Sequence, residues 1–176
     1  MTRHRKLVVL DVDSTLTRDE GIDLLASFVS EDVASQVAAI TAAAMRGELD
    51  FEESLKRRVA TLEGVSVEAV AAATAQVRVT EGAHELVSEL HAHGHLVGAV
   101  SGGFHHMIDP LAENLNLDFY RANVLEVREG RLTGTTVGTV IDAGTKAATL
   151  REWANEHDID MAHTVPWAMG ATTSKC

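Results

Sequence analysis

Cysteine is nearly absent: the only one is Cys176, the last of 176 residues. A lone cysteine excludes an intramolecular disulfide and a thiolate metal cage, and the chain reads as cytosolic. Proline is scarce as well, with two residues, so no Pro-rich linker divides the chain; no internal repeat or low-complexity tract does so either. Positive charge is in deficit. Fifteen Lys and Arg face 26 Asp and Glu, for a net charge of −11. That balance argues against nucleic acid or an anionic membrane surface as partner. A small phosphorylated substrate stays open, because it needs only local cations. No apolar run approaches the ~18 residues of a membrane span. The basic start, Met1 to Lys6, runs into a strand too short to be the apolar region of a signal peptide. What is present is 45% hydrophobic content, enough to fill the core of one domain, or of one domain with a modest insertion.

Leu7-Val8-Val9-Leu10 reads as a buried parallel strand. Two carboxylates, Asp11 and Asp13, follow it just past the C-terminal end, the edge where an open α/β sheet binds ligands. Two aspartates this close repel, and a cation such as Mg²⁺ between them relieves the repulsion. A carboxylate beside Mg²⁺ can attack a phosphorus atom and form an aspartyl-phosphate. The local alternative is an Asx turn, with Asp13 or Ser14 capping the next helix.

The stretch from residue 17 to residue 79 is Ala-rich, Glu-rich and poor in strand patterns. Thr17 or Asp19 could cap a helix reaching Phe28 and Val29. Val33, Val37 and Ile40, then Leu55, Val59 and Leu62, then Val67, Val70 and Ala73, fall at helical spacings punctuated by Gly47 and Gly64. The pattern predicts roughly four short helices, a small bundle inserted after the first strand. About sixty residues is a large crossover for one βαβ step. We therefore expect a discontinuous α/β core over 1–16 and 80–176, with a cap over 17–79. Lys56-Arg57-Arg58 is a solvated face, unless one of the three turns toward the carboxylate edge to hold a phosphate or a carboxylate.

Beyond residue 80 the pattern turns regular. A helix around Leu86 and Leu90 ends near Gly94, and His95 to Val100 is a second strand. Ser101-Gly102-Gly103-Phe104 then opens another helix, a hydroxyl and two glycines suited to an anion. His84, His91, His93, His95, His105 and His106 read as a solvated cluster, since no carboxylate or thiol joins them at ligand spacing. Leu117 to Tyr120 and Ala122 to Val127 are strands, Arg128-Glu129-Gly130-Arg131 is a hairpin turn, and Leu132 to Val140 returns. Lys146 stands in the first turn of a helix running to about His157. The helix dipole disfavours a lysine there, which points to a role in offsetting charge around the carboxylates.

Together D-x-D-S-T, S-G-G-F and the helix-opening lysine resemble the haloacid dehalogenase superfamily of phosphohydrolases. Ala44 to Phe51, with Ser54-Leu55 and Arg58-Val59, is similar to its phosphoserine phosphatase branch; the resemblance runs from about Lys6 to Val165. It implies a Rossmannoid parallel sheet with helices on both faces and an inserted helical cap. It also implies Mg²⁺-dependent hydrolysis of O-phosphoserine, in serine synthesis, through an aspartyl-phosphate. By position, Asp11 is the implied nucleophile and Asp13 the general acid and later base. Ser101 and the Gly102 amide bind phosphate, and Lys146 steadies the phosphoryl group. Glu20 takes the substrate ammonium, Arg58 its carboxylate, and Met45 and Phe51 line the cap wall. Mg²⁺ is implied on the Asp11 carboxylate, the Asp13 backbone carbonyl and an acid of a fourth motif. Small-molecule substrate is the expected partner.

That fourth motif, G-D-G-x-N-D, is not written in the chain: Met169, Thr172 and Thr173 stand at its Asp, Asn and Asp positions. The chain stops at Cys176, before the strand and helix expected to finish the core. Codons for Pro166 to Cys176, regrouped after adding one base behind the Val165 codon, can read A-V-G-D-G-R-N-D-L-E-M. Both motif glycines are then forced. We read a reading frame displaced by one base after Val165, and expect a chain of low stability and low activity. The rival readings are a non-catalytic, phosphate-ligand-binding remnant of the same fold, or a phosphatase for another small phosphomonoester.

Overall fold

A computed structural model of the chain describes residues 4–167. The readings placed on Met169, Thr172 and Thr173 lie outside the described residues. Five strands form one sheet in the order β4-β3-β2-β1-β5. They are β1 (Leu7–Leu10), β2 (Leu96–Phe104), β3 (Phe119–Arg128), β4 (Arg131–Val137) and β5 (Thr164–Trp167). The pairs β1–β2, β1–β5 and β2–β3 are parallel. The pair β3–β4 is antiparallel, so the sheet is mixed rather than wholly parallel. Its hairpin turns at Glu129 and Gly130, both at positive φ, the conformation that a two-residue turn needs to match strand twist.

Four consecutive apolar residues in β1 are all buried because both faces of the sheet are covered. Side chains alternate across a strand. Val8 and Leu10 pack with Val97 and Ala99 under α5 (Ala83–Ala92) and α6 (His105–Leu115). Leu7 and Val9 pack with Leu96 and Val100 under Trp153 and Ala154 of α7 (Ala143–Glu156). Trp153 fills the space above Gly98, where an added Cβ would lie 2.9 Å from its ring.

Between β1 and α5 stand four helices: α1 (Gly21–Val29), α2 (Glu31–Met45), α3 (Phe51–Ala60) and α4 (Val67–Thr74). Ser30, Asp50 and Ser66 cap α2, α3 and α4, their side chains accepting from Val33, Glu53 and Ala69. The apolar faces of all four helices meet in a cluster holding Leu25, Val37, Leu55, Val59 and Val70. That cluster also contains Phe104 and Met107 at the end of β2 and the start of α6, and Leu125 and Leu132 of the hairpin. The helices therefore sit against the sheet's edge. Among the described residues no helix is long and apolar enough to cross a membrane.

Several details depart from the sequence pattern. Ser101 to Phe104 leads into a helix, α6, with Phe104 at its N-cap, but it is no turn: it extends β2, with a register shift against β3 between Val100 and Phe104. Leu117 to Val127 gives one strand, β3, not two, and β4 ends at Val137, not Val140. Neither Thr17 nor Asp19 caps α1; Glu20 holds that position, without a side-chain bond. Thr17 and Asp19 instead tie the outgoing chain to the returning one. Arg18 N–H donates to the Arg78 carbonyl, Thr80 N–H to that of Leu16. The Asp19 carboxylate accepts from both the amide and the guanidinium of Arg78, the shortest contact being 2.6 Å.

Candidate active site

The parallel strands bring Asp11, Asp13 and the end of β2 to one edge. Directly after β1 the chain makes a single helical turn, Val12–Leu16, kinked at Ser14, which adopts a left-handed φ of 54°. The kink sets both carboxylates against main-chain donors. Asp11 Oδ1 accepts from the Val12 amide at 2.9 Å, and Asp13 Oδ1 from the Gly21 amide at the head of α1 at 2.8 Å. Asp13 thus meets the helix N-terminus as the local capping alternative anticipates, but its second oxygen is committed elsewhere.

The two carboxylates have different partners. Lys146 Nζ donates to Asp11 Oδ2 at 2.9 Å, from the first turn of α7. Asp142 caps that helix, accepting from the Thr145 amide, and so fixes where the lysine departs. Asp13 Oδ2 accepts from Ser101 Oγ at 3.2 Å. Burial holds the Asp13 carboxyl above the usual carboxylate range, and the charges of Glu20 and Asp11 push the same way; the Gly21 amide and Ser101 hydroxyl oppose the rise. One carboxylate is matched to an ammonium, the other is biased toward its protonated form.

Ser101 is fully buried, and its Oγ accepts from the Gly103 amide at 2.8 Å. Both glycines here have steric reasons. A Cβ on Gly103 would come within 3.1 Å of Asp13 Oδ2 and of Ser101 Oγ, and one on Gly102 within 3.1 Å of the Phe51 ring. Phe51, first residue of α3, therefore reaches over the end of β2 while staying 44% exposed.

Arg58 lies half-buried one turn from the end of α3, its Nε donating to the Ser54 carbonyl. Burial lowers its guanidinium from the ordinary range, and the charges of Asp23, Glu20 and Asp13 act against that fall. It is the member of Lys56-Arg57-Arg58 that faces the acidic edge; Arg57 pairs with Glu53 on the surface. Glu20 is exposed and accepts from Ser14 Oγ at 2.6 Å. Met45 does not join this group: it ends α2 85% exposed, facing solvent. The histidines are dispersed, His91 on Asp118 and His105 on Asp109.

Asn123 is the site residue the sequence pattern did not single out. It is 2% exposed on β3, with Nδ2 donating to the Gly102 carbonyl at 2.8 Å and Oδ1 accepting from the Ile141 amide at 2.9 Å. One polar residue inside the run from Ala122 to Val127 was the available signal.

Asp11 and Asp13 offer hard oxygen donors of the kind that suit Mg²⁺. Among the described residues, no group of three His, Cys, Asp or Glu side chains gathers as a metal site. The two aspartates fit the ion in donor chemistry as part of a set.

The sequence matches the haloacid dehalogenase-like hydrolase family over residues 8–174. It is 48% identical over 170 residues to a phosphoserine phosphatase of Streptomyces coelicolor, covering 96% of this chain and 41% of that protein. It is 44% identical over 171 residues to the phosphoserine phosphatase of Streptococcus thermophilus, covering 97% of this chain and 79% of that one. The chain thus spans under half of the first relative and about four fifths of the second. The fold is similar to a solved phospho-aspartyl intermediate analogue of phosphoserine phosphatase, with TM-score 0.86 and 38% identity over 93% of this chain and 78% of that one. A substrate-bound phosphoserine phosphatase complex matches equally, at TM-score 0.86 and 38% identity, over 93% of this chain and 77% of that one.

Proposed function

The chain belongs to the phosphoserine phosphatase family of haloacid dehalogenase-like hydrolases, and from that premise we propose that it hydrolyses O-phosphoserine to serine and phosphate. The observation carrying the reading is the contrast between Asp11, paired with Lys146, and Asp13, buried with its carboxyl raised. Neighbouring acids with unlike partners, one on an ammonium and one raised by burial, divide nucleophilic and acid roles between them.

Asp11 attacks phosphorus; the P–O bond to serine breaks as the Asp11–phosphorus bond forms. Asp13 delivers its proton to the departing serine oxygen. Now ionised, Asp13 takes a proton from water as the water oxygen attacks the phosphoryl-aspartate. Inorganic phosphate leaves, Asp11 is regenerated and Asp13 is again protonated. Ser101 and the Gly102 amide hold phosphate oxygens, and Lys146 offsets the charge that gathers on them. Glu20 and Arg58 suit the two charges of an amino acid, and Phe51, reaching over the end of β2, keeps water from the substrate. Mg²⁺, held by the Asp11 carboxylate and the Asp13 carbonyl, would supply further neutralisation of phosphoryl charge.

Turnover is proposed to be low, because Met169, Thr172 and Thr173 replace the Asp, Asn and Asp of the fourth motif that complete the metal's surroundings. The division into a core (1–16 and 80–176) and a cap (17–79), and cytosolic residence of this single-cysteine chain, belong to the same proposal.

The experiment is phosphate release from a panel of phosphomonoesters, with Mg²⁺ and with a chelator. Expected are a preference for phosphoserine, loss on chelation and loss in Asp11→Asn. No preference for amino-acid phosphates sinks the substrate assignment. Rates typical of intact family members sink the impairment. Binding of phosphoserine without turnover favours the remnant reading, which rests on the same three tail residues. Sequencing the nucleotides beyond the Val165 codon decides the displaced frame.

A further inference from the structure

Asn123 stands at a junction that the sheet itself creates. β2 shifts register against β3 between Val100 and Phe104, and inside that shift two main-chain groups bond side chains. The Gly103 N–H donates to Ser101 Oγ, and the Gly102 carbonyl accepts from Asn123. Its amide orientation is fixed by its partners: a carbonyl can only accept, and the Ile141 N–H can only donate.

Two arms leave this side chain. In the first, the Gly102 carbonyl and the Gly103 N–H belong to one planar peptide and point in opposite directions. Holding the carbonyl on Asn123 aims the N–H at Ser101 Oγ, 2.8 Å away, and leaves the Ser101 hydrogen to donate to Asp13. In the second, Asn123 Oδ1 anchors Ile141, the residue before Asp142, which caps α7 and so sets the origin of Lys146 on its way to Asp11. Being 2% exposed, Asn123 leaves water little access to replace either bond.

We propose that Asn123 is a positioning residue for the reaction, one side-chain amide that holds Ser101 toward Asp13 and Lys146 toward Asp11 through two separate hydrogen-bond arms. The assignment rests on the reading of Asp11 and Asp13 as the reacting carboxylates. It makes the geometry at the two acids depend on a residue that touches neither.

The test is amide hydrogen exchange, read by NMR on the full chain without added metal, in the parent, Asn123→Leu and Asn123→Asp. Leucine removes both arms, so the Gly103 and Ile141 amides exchange about tenfold faster, the loss of one net hydrogen bond each. An ionised aspartate still accepts from Ile141 but has no hydrogen for Gly102, so only Gly103 accelerates. Thr149→Val, removing a buried hydroxyl of α7 that accepts from Arg121 of β3, accelerates neither. In phosphoserine hydrolysis kcat falls about tenfold in Asn123→Leu, with KM little changed, as expected for a misplaced reacting group. Equal acceleration of Gly103, Ile141 and the Leu10 amide of the central strand would make Asn123 a merely structural residue and overturn the proposal. So would a Gly103 amide in Asn123→Asp that exchanges at the parent rate. Exchange needs no turnover: an inactive parent with the two-arm pattern overturns the proposed function, and with it the role in the reaction, while the hold of Asn123 on Ser101 and Lys146 stands.

Discussion

Replacing Gly103 with alanine adds one methyl group at the point where the two halves of the site touch. The new Cβ would sit 3.1 Å from Asp13 Oδ2 and 3.1 Å from Ser101 Oγ, which are themselves 3.2 Å apart. Gly103 is not among the glycines at positive φ, so the backbone accepts alanine and the consequence lies in the contacts. Each oxygen must yield by a few tenths of an ångström. Asp13 is held by the Gly21 amide and Ser101 by the Gly103 amide, both at 2.8 Å, so the bond between them gives way. A hydrogen bond between neutral groups is worth ~0.5–1.5 kcal/mol, which translates to a fall in kcat of roughly two- to tenfold. Gly98→Ala is the control. Its Cβ meets the buried Trp153 ring at 2.9 Å, an overpacking cost of ~1–3 kcal/mol, with no site atom among its nearest neighbours. Steady-state phosphate release and thermal melts on the same preparations separate the two. Gly98→Ala should melt lower, by about 2–4 °C per kcal/mol for a chain this size, with kcat per folded molecule kept. Gly103→Ala should lose kcat beyond what its melting temperature explains. If Gly103→Ala keeps the parent kcat within about twofold, an interval under 0.5 kcal/mol, the Ser101–Asp13 contact does not contribute to the rate.

Arg58→Lys, which keeps the charge but loses the planar fork, is expected to raise KM for phosphoserine about tenfold or more with a smaller change in kcat; an unchanged KM would remove Arg58 from substrate binding. Asp19 carries a pH prediction. Its folded carboxyl is held below the ordinary range by hydrogen bonds from Arg78, so its contribution is present above the unfolded value of about 3.9 and is lost as pH falls through the lower folded value. Urea melts of the parent and Asp19→Asn should therefore differ at pH 6 and converge toward pH 3, at about the ends of that window; a difference that grows on acidification refutes the assignment. Phe104→Ala, emptying the side chain that joins the inserted helices to the sheet, should cost ~3–5 kcal/mol in denaturant unfolding.

Much of this arrangement could be read from the chain. The apolar run Leu7 to Leu10 is a strand because period-two burial with both faces covered admits no polar position, and Lys146 reaches Asp11 from the helix end its dipole disfavours. Other features depend on partners far away in sequence. Asp19 looks like a cap until Arg78, fifty-nine residues on, arrives beside it. Ser101-Gly102-Gly103 looks like a turn, since glycine pairs usually mark one; only the neighbouring strand shows that the chain stays extended and shifts register. Asn123 is invisible to periodicity because its reason lies in two peptide groups, on β2 and before α7, that no local window contains. Met45 is apolar, but the end of α2 leaves it in solvent.

The paired segments at Thr17–Asp19 and Arg78–Thr80 have an architectural consequence. Because the chain departs and returns through paired main-chain bonds, the sheet senses a hairpin there, whatever is threaded between the two ends. Closing a longer excursion is inexpensive: each doubling of a flexible loop adds only ~0.6 kcal/mol. A junction of this kind behaves as a socket. Inserts of different length and shape could be exchanged at it without altering the register of β1 against β2, so long as each brings its own apolar surface for Phe104, Met107, Leu125 and Leu132. On the proposed reading, the residues that select the substrate and those that react are thereby free to vary on separate segments of one gene.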